Sequence, residues 1–249
     1  MDKQLPIMNN DSVVHEYMKM LFNNDKKKEY KDTDELLQYI AEMEKQFEEV
    51  VKELRDVKVI LNNLQNPSIK MRLTNAVDKV QMEVNDGKNK LNELKKNFIS
   101  SMKDCLTSFK QKGKDGIIKT INVLHFKEAL GGIRKSLFAG MNKTNHLVQT
   151  CDAITSEMRN AKRNIKNVGL LMLGKPVQKD TVDKSKLNMI QKSTRSMLSV
   201  FKSMAAKTTK ALHRLEDFEK PSVKNEIKLL VDKSKSQSAK HNEKKEQSR

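Results

Sequence analysis

From Leu36 to Leu64 the apolar side chains recur in alternating steps of four and three: Leu36, Ile40, Met43, Phe47, Val50, Leu54, Val57, Leu61 and Leu64. An α-helix turns once in about 3.6 residues, so this spacing draws one narrow apolar stripe along a helix of about eight turns. Such a stripe is buried by another helix rather than by a sheet. The pattern predicts an all-α chain, an elongated antiparallel helical bundle made of coiled-coil-like hairpins with a disordered basic C-terminal tail. An aromatic content of 4%, no Trp, and only eight Gly and four Pro in 249 residues fit that class, since they leave a sheet few places to turn.

The same alternation marks the other elements. Val13, Val14, Tyr17, Met18 and Leu21 predict a short helix over 12–22 capped by Asp11, followed by a polar connection over 23–32. Thr33 or Asp34 is the expected cap of the long helix, which Pro67 ends because proline cannot donate the next hydrogen bond yet suits the first turn of a new helix. Over 67–112 the stripe is Ile69, Leu73, Ala76, Val80, Val84, Leu91, Leu94, Phe98, Met102, Cys105 and Phe109, with Gly87 at one stripe position. So short a connection between matched stripes predicts an antiparallel hairpin. Beyond Gly113 and Gly116 come Ile117, Ile121, Leu124, Ile133, Leu137, Met141, Val148, Cys151, Ile154, Met158, Ile165 and Val168. Gly131 and Gly132 predict a break or kink there, and Gly174 with Pro176 predicts the stop. The last long helix, 183–218, runs through Leu187, Ile190, Thr194, Met197, Phe201, Met204, Thr208, Ala211, Leu215 and Phe218. Ser222 then starts a short helix with Val223, Ile227, Leu230 and Val231, and 233–249 is too polar to offset its ordering entropy. The resulting segments are 1–32 (short helix and linker), 33–112 (long hairpin), 113–220 (basic region completing the bundle) and 221–249 (short helix and tail).

Charge is uneven. The chain carries +17, yet residues 1–66 hold ten bases and fourteen acids, so the whole excess lies beyond Asn66. Between Lys184 and Leu215 there are eight bases and no acid, and none occurs from Arg159 to Lys179. An anionic-partner surface is expected from Arg159, Lys162, Arg163 and Lys166 on one helix with Lys192, Arg195, Lys202, Lys207, Lys210 and Arg214 on the next. The bland alternative is a solvated face partly neutralised by the acids near Glu42 to Glu53. Were Arg159, Lys162, Arg163, Lys202, Lys207 and Lys210 all to contact phosphates, affinity for duplex DNA would fall with salt with a log–log slope of about −5 and little dependence on base sequence.

Catalytic and metal patterns are missing. His15, His125, His146, His213 and His241 are scattered, with no HExxH and no CxxC, and the glycines form neither GxGxxG nor a Walker loop. Glu48 and Glu49 sit in a dense charged run that offers no desolvated pocket. Cys105 and Cys151 occupy stripe positions, where a thiol behaves as a small hydrophobe, and the fourteen Met read as gap-fillers of an irregular core. No apolar run approaches the length of a membrane span and no secretory signal is visible, so a cytoplasmic protein is expected.

Several segments resemble a known family: Glu42-Met43-Glu44-Lys45-Gln46 leading into Val51-Lys52-Glu53-Leu54, then Phe109-Lys110-Gln111-Lys112-Gly113, His125-Phe126-Lys127-Glu128-Ala129-Leu130 with Ile133-Arg134-Lys135-Ser136-Leu137, and Lys166-Asn167-Val168-Gly169. They are similar to an uncharacterised all-helical bacterial family, DUF6674-like, a domain of unknown function. The resemblance implies a product of low-GC Gram-positive anaerobes, often carried on mobile elements, and brings no active-site motif. The expectation is a non-enzymatic interaction or scaffold protein without cofactor or metal, taking a protein partner or self-associating through its helical seams. The alternative is a sequence-nonspecific nucleic-acid-binding accessory protein of a mobile element.

Overall fold

The computed structural model describes residues 11–113, 123–171 and 184–219. They form five α-helices and no strand: α1 (Ser12–Asn23), α2 (Lys27–Asn62), α3 (Pro67–Lys112), α4 (Val123–Leu171) and α5 (Lys184–Glu219). The N-terminal residues 1–10, the start of the third pattern at Ile117 and Ile121, the short helix expected after Ser222 and the expected tail lie outside the described residues. The chain divides into two compact units at Leu212 and His213. Of the second unit the end of α5 alone is described, with Leu215 buried and His213 and Arg214 exposed.

Within the first unit, α2 to α5 form an up-down-up-down all-α bundle. Asn66 caps α3 by accepting the Ile69 N–H at 3.1 Å, and Pro67 opens the helix as the sequence predicts. The chain thus reverses between α2 and α3, and Lys58 meets Asp78 while Glu44 meets Lys95, an antiparallel register. Helices α3 and α4 are antiparallel as well: Arg72 pairs with Glu157, Lys90 reaches Ser136, and the Phe98 ring stands edge-on to Phe126 at 4.9 Å. α5 closes the ring between α4 and α2. Gln191 bonds Asp152 of α4, while Gln46 and Tyr39 of α2 bond Ser203 and Thr208. α1 lies across the other end of the hairpin, where Glu16 pairs with Lys110 and Asp11 caps its first turn by accepting the Val13 N–H.

Most stripe positions read from the sequence are the core, but Ile69, Phe109 and Met158 are half-buried and Val168 is exposed. Every residue of the Leu36 to Leu64 seam is buried, and Leu54, Phe98, Ile190 and Met204 expose nothing measurable. Met43, Met102, Met197 and Met204 fill that core, whereas Met71, Met82 and Met189 face outward.

Three further details differ from the expectation. α2 begins at Lys27, not at Thr33 or Asp34. Asp25 takes a left-handed φ of 56°, turning the chain within three residues, and the earlier start sets Tyr30 edge-on to Phe22 and buries Thr33 beside Tyr17. α4 runs unbroken through Gly131 and Gly132, because Leu130, Ile133 and Leu137 around them are fully buried and packing outweighs the roughly 1 kcal/mol that glycine costs a helix. Further along α4 the buried positions are Gly140, Thr144 and Leu147, one residue before the Met141 and Val148 that hydrophobicity suggested.

At two glycines a ring from the neighbouring helix rests on the backbone. A Cβ built on Gly140 would lie 2.7 Å from Cε1 of Phe201, and one on Gly87 would lie 2.7 Å from Cζ of Phe47. Each pair of neighbouring helices, α2 with α3 and α4 with α5, is therefore locked by a phenyl ring seated on a bare backbone. The hydroxyls of Thr144, Thr194 and Thr208, all fully buried, donate to the carbonyls of Gly140, Ile190 and Met204 in their own helices, so burial leaves them satisfied.

Candidate anionic-partner surface

On α5 the core residues and the bases divide the helix between them. Leu187, Ile190, Thr194, Met197, Phe201, Met204 and Thr208 face inward, and Lys192, Arg195, Lys202 and Lys210 are exposed on the other side. The 3.6-residue turn makes this unavoidable, since a strict inward stripe leaves the bases only the flanks and the outward face. α2 contrasts with it: its exposed face interleaves Lys45, Lys52 and Arg55 with Glu48, Glu49 and Asp56, the alternation of a solvated, charge-balanced helix.

The expected bases do not fall into one patch. Lys207 points toward α2, with its ammonium 2.7 Å from the Glu42 carboxylate. Arg195 points toward α4 and lies 3.5 Å from Asp152, which also accepts from Gln191 at 2.8 Å. Lys192, Lys202 and Lys210 make no ion pair among the described residues. Arg159, Lys162 and Arg163 are exposed near the end of α4, within a run from Arg159 to Asn164 in which every residue is exposed. The side chain of Lys166 lies outside the described residues, and Arg214 belongs to the second unit. The sequence missed Arg134, exposed on α4 with its guanidinium 5.5 Å from the centre of the Phe138 ring. Its one available signal was its spacing from Asp152, a whole number of helical turns.

The remaining polar clusters act within the fold. Ser136 is buried, donates to Asp86 at 2.5 Å and accepts from Lys90, whose ammonium also reaches Asp86 at 2.6 Å. The bonds from Lys90 and Ser136 hold the Asp86 carboxyl below its usual range, and the trio fastens α3 to α4. Burial pushes the phenols of Tyr17 and Tyr39 well above their ordinary value and raises the Cys151 thiol to about 12. Cys105 and Cys151 are free and buried. Among the described residues no three His, Cys, Asp or Glu side chains gather as a metal site, and no helix is long and apolar enough to cross a membrane.

A family model matches residues 10–249, nearly the whole chain. The protein belongs to DUF6674, a family of unknown function. No curated protein and no solved structure matches it. Membership in DUF6674 covers the bundle and the basic helices together, so the outward face of α5 is part of the family domain rather than an appendage to it.

Proposed function

We propose that this DUF6674 protein is a non-enzymatic interaction protein, a helical scaffold that docks an anionic partner on the outward side of α5. The observation that carries the reading is the sign of that side within the first unit: Lys192, Lys202 and Lys210 are exposed there without an ion pair among the described residues, and no acid occurs from Lys184 to Leu215, in a bundle whose α2 balances its exposed charges. A face of one sign focuses a field that draws an anionic partner to it, as a charge-balanced face does not. The strongly shifted groups support the non-enzymatic half, because Tyr17, Tyr39 and Cys151 are shifted by burial in the core and not by a cleft that admits substrate. The described apolar stripes are consumed within one chain, so a partner meets the outward faces rather than the seams. The setting we infer is the cytoplasm of a low-GC Gram-positive bacterium bearing mobile elements.

Anisotropy titration of the full chain against labelled polyglutamate and a labelled random-sequence duplex tests this reading. Binding to at least one polyanion is expected, weakening between about 50 and 200 mM salt as counterion release dictates. Failure to bind either at about 50 mM would remove the reading.

A further inference from the structure

We infer that the docking surface takes the phosphate backbone of duplex nucleic acid along the α4–α5 seam, without reading base sequence; this rests on the anionic-partner reading and names its partner. The position of the seam follows from Asp152, which touches Gln191 and Arg195 of α5. Arg159, Arg163 and Arg134 stand two, three and five whole turns from Asp152, so helical geometry puts all three on the α5-facing flank of α4. Lys202 stands two turns beyond Arg195 and so lies on the α4-facing flank of α5. Lys192 and Lys210 complete the band on the outward face. All six bases are exposed and make no ion pair among the described residues. Within the first unit Asp152 is the sole acid on these two flanks among the described residues, and Gln191 and Arg195 already hold it.

Length and texture favour a phosphate backbone over an acidic protein. From Arg134 to Arg163 the band follows α4 for about 43 Å at about 1.5 Å per residue, the span of about 13 base pairs at about 3.4 Å each. Between the bases the exposed surface carries Asn145, Ser199 and Ala206, side chains that donate to phosphates or let them approach. A protein interface draws its affinity from buried aromatic and aliphatic anchors. Of the exposed large apolar groups, Phe138 lies in the band with Arg134 already over its face, and Met189 stands one turn from Lys192 at its edge. A row of like charges without anchors suits a polyelectrolyte, whose own charges repeat along its length.

The geometry also revises which bases count. Lys207 is turned to the α2 side and held by Glu42, so it drops out, and Arg134 enters. With six contacts, log affinity of the full chain for a labelled random-sequence duplex should fall against log salt with a slope of about −5. The triple variant Lys192→Gln, Lys202→Gln, Lys210→Gln changes exposed side chains only and should reduce that slope by about 2.7, equally for duplexes of unrelated sequence. Lys207→Gln should leave it nearly unchanged. Three results would overturn the inference: a triple-variant slope equal to wild type, a Lys207→Gln loss as large as that of any band lysine, or no duplex binding while polyglutamate binds and loses affinity in the triple variant. The last would make the partner an acidic protein and leave the broader reading standing; binding of neither probe would remove both.

Discussion

Alanine at Gly87, Gly131, Gly132 and Gly140 sorts these four helical positions by what a new Cβ would meet. Glycine inside a helix costs about 0.8–1 kcal/mol relative to alanine, so every substitution starts from that gain. At Gly131 nothing lies within 4 Å of the added carbon, and at Gly132 the nearest atom is Cδ of Lys90 at 3.6 Å, an ordinary contact. Both variants should be stabilised by about 1 kcal/mol, a rise in Tm of about 2–4 °C for a domain of this size. At Gly87 the added carbon falls 2.7 and 2.9 Å from the ring of Phe47, and at Gly140 it falls 2.7, 2.8 and 3.3 Å from the ring of Phe201. Both rings are about 1% exposed, so neither can swing into solvent and the helices must part instead. Overpacking of this kind costs about 1–3 kcal/mol, which cancels or exceeds the propensity gain. Urea denaturation should rank Gly131→Ala above wild type and Gly140→Ala lowest, with Gly87→Ala between wild type and Gly140→Ala. Phe201→Leu should be less harmful in the Gly140→Ala background than alone, by at least about 1 kcal/mol in a double-mutant cycle. If Gly140→Ala is as stabilising as Gly131→Ala, or the cycle shows no coupling, the ring does not sit on that backbone.

Four other outcomes follow from the core and its polar links. Asp86 has a lowered folded-state pKa, so its contribution is present above the unfolded-state value and is lost as pH falls through the folded one; Asp86→Asn should destabilise slightly at pH 7, and its difference from wild type should shrink as acid protonates the wild-type carboxyl in parallel denaturation curves. Cys151, raised to about 12 by burial, should resist maleimide at pH 7 in the native protein and react promptly in urea; fast native labelling would contradict its burial. Thr208→Val leaves the buried Tyr39 hydroxyl without its 2.9 Å partner and should cost about 1–3 kcal/mol, restored in part by pairing it with Tyr39→Phe. Leu54→Asp buries an unpaired charge and should cost several kcal/mol, while Lys52→Gln on the exposed side should be nearly silent; equal melting temperatures would show the seam misplaced.

The helices were legible because burial of a stripe is periodic and needs no knowledge of the partner. Leu36 to Leu64 and Leu187 to Ala211 are inward in the fold just as their spacing requires. What escaped the sequence depends on the neighbouring helix. Hydrophobicity ranks Met141 and Val148 above Gly140 and Thr144, yet Gly140 is buried because Phe201 sits on it, and Thr144 because its hydroxyl finds the Gly140 carbonyl. Gly87 and Gly131 look alike in sequence; one is a socket and the other meets open space, a difference set by where Phe47 lies. Capping signals misled at α2, where Thr33 serves as core and Lys26, which makes no side-chain cap, precedes the first turn.

The basic surface divides in the same way. Its sign is a property of composition and was plain from the sequence, but its shape depends on which flank each base occupies and which acid stands across from it. Lys207 and Lys202 are five residues apart on one helix, and the helical turn sends the first toward Glu42 on α2 and the second toward α4. Antiparallel packing of α4 on α5 then aligns Arg134, Arg159 and Arg163 with Lys202, although they are far apart in sequence. Arg159 and Arg163, one turn apart, repel, and no acid beside them offsets that as the acids of α2 offset its bases. That unbalanced flank is the feature on which the proposed anionic partner rests.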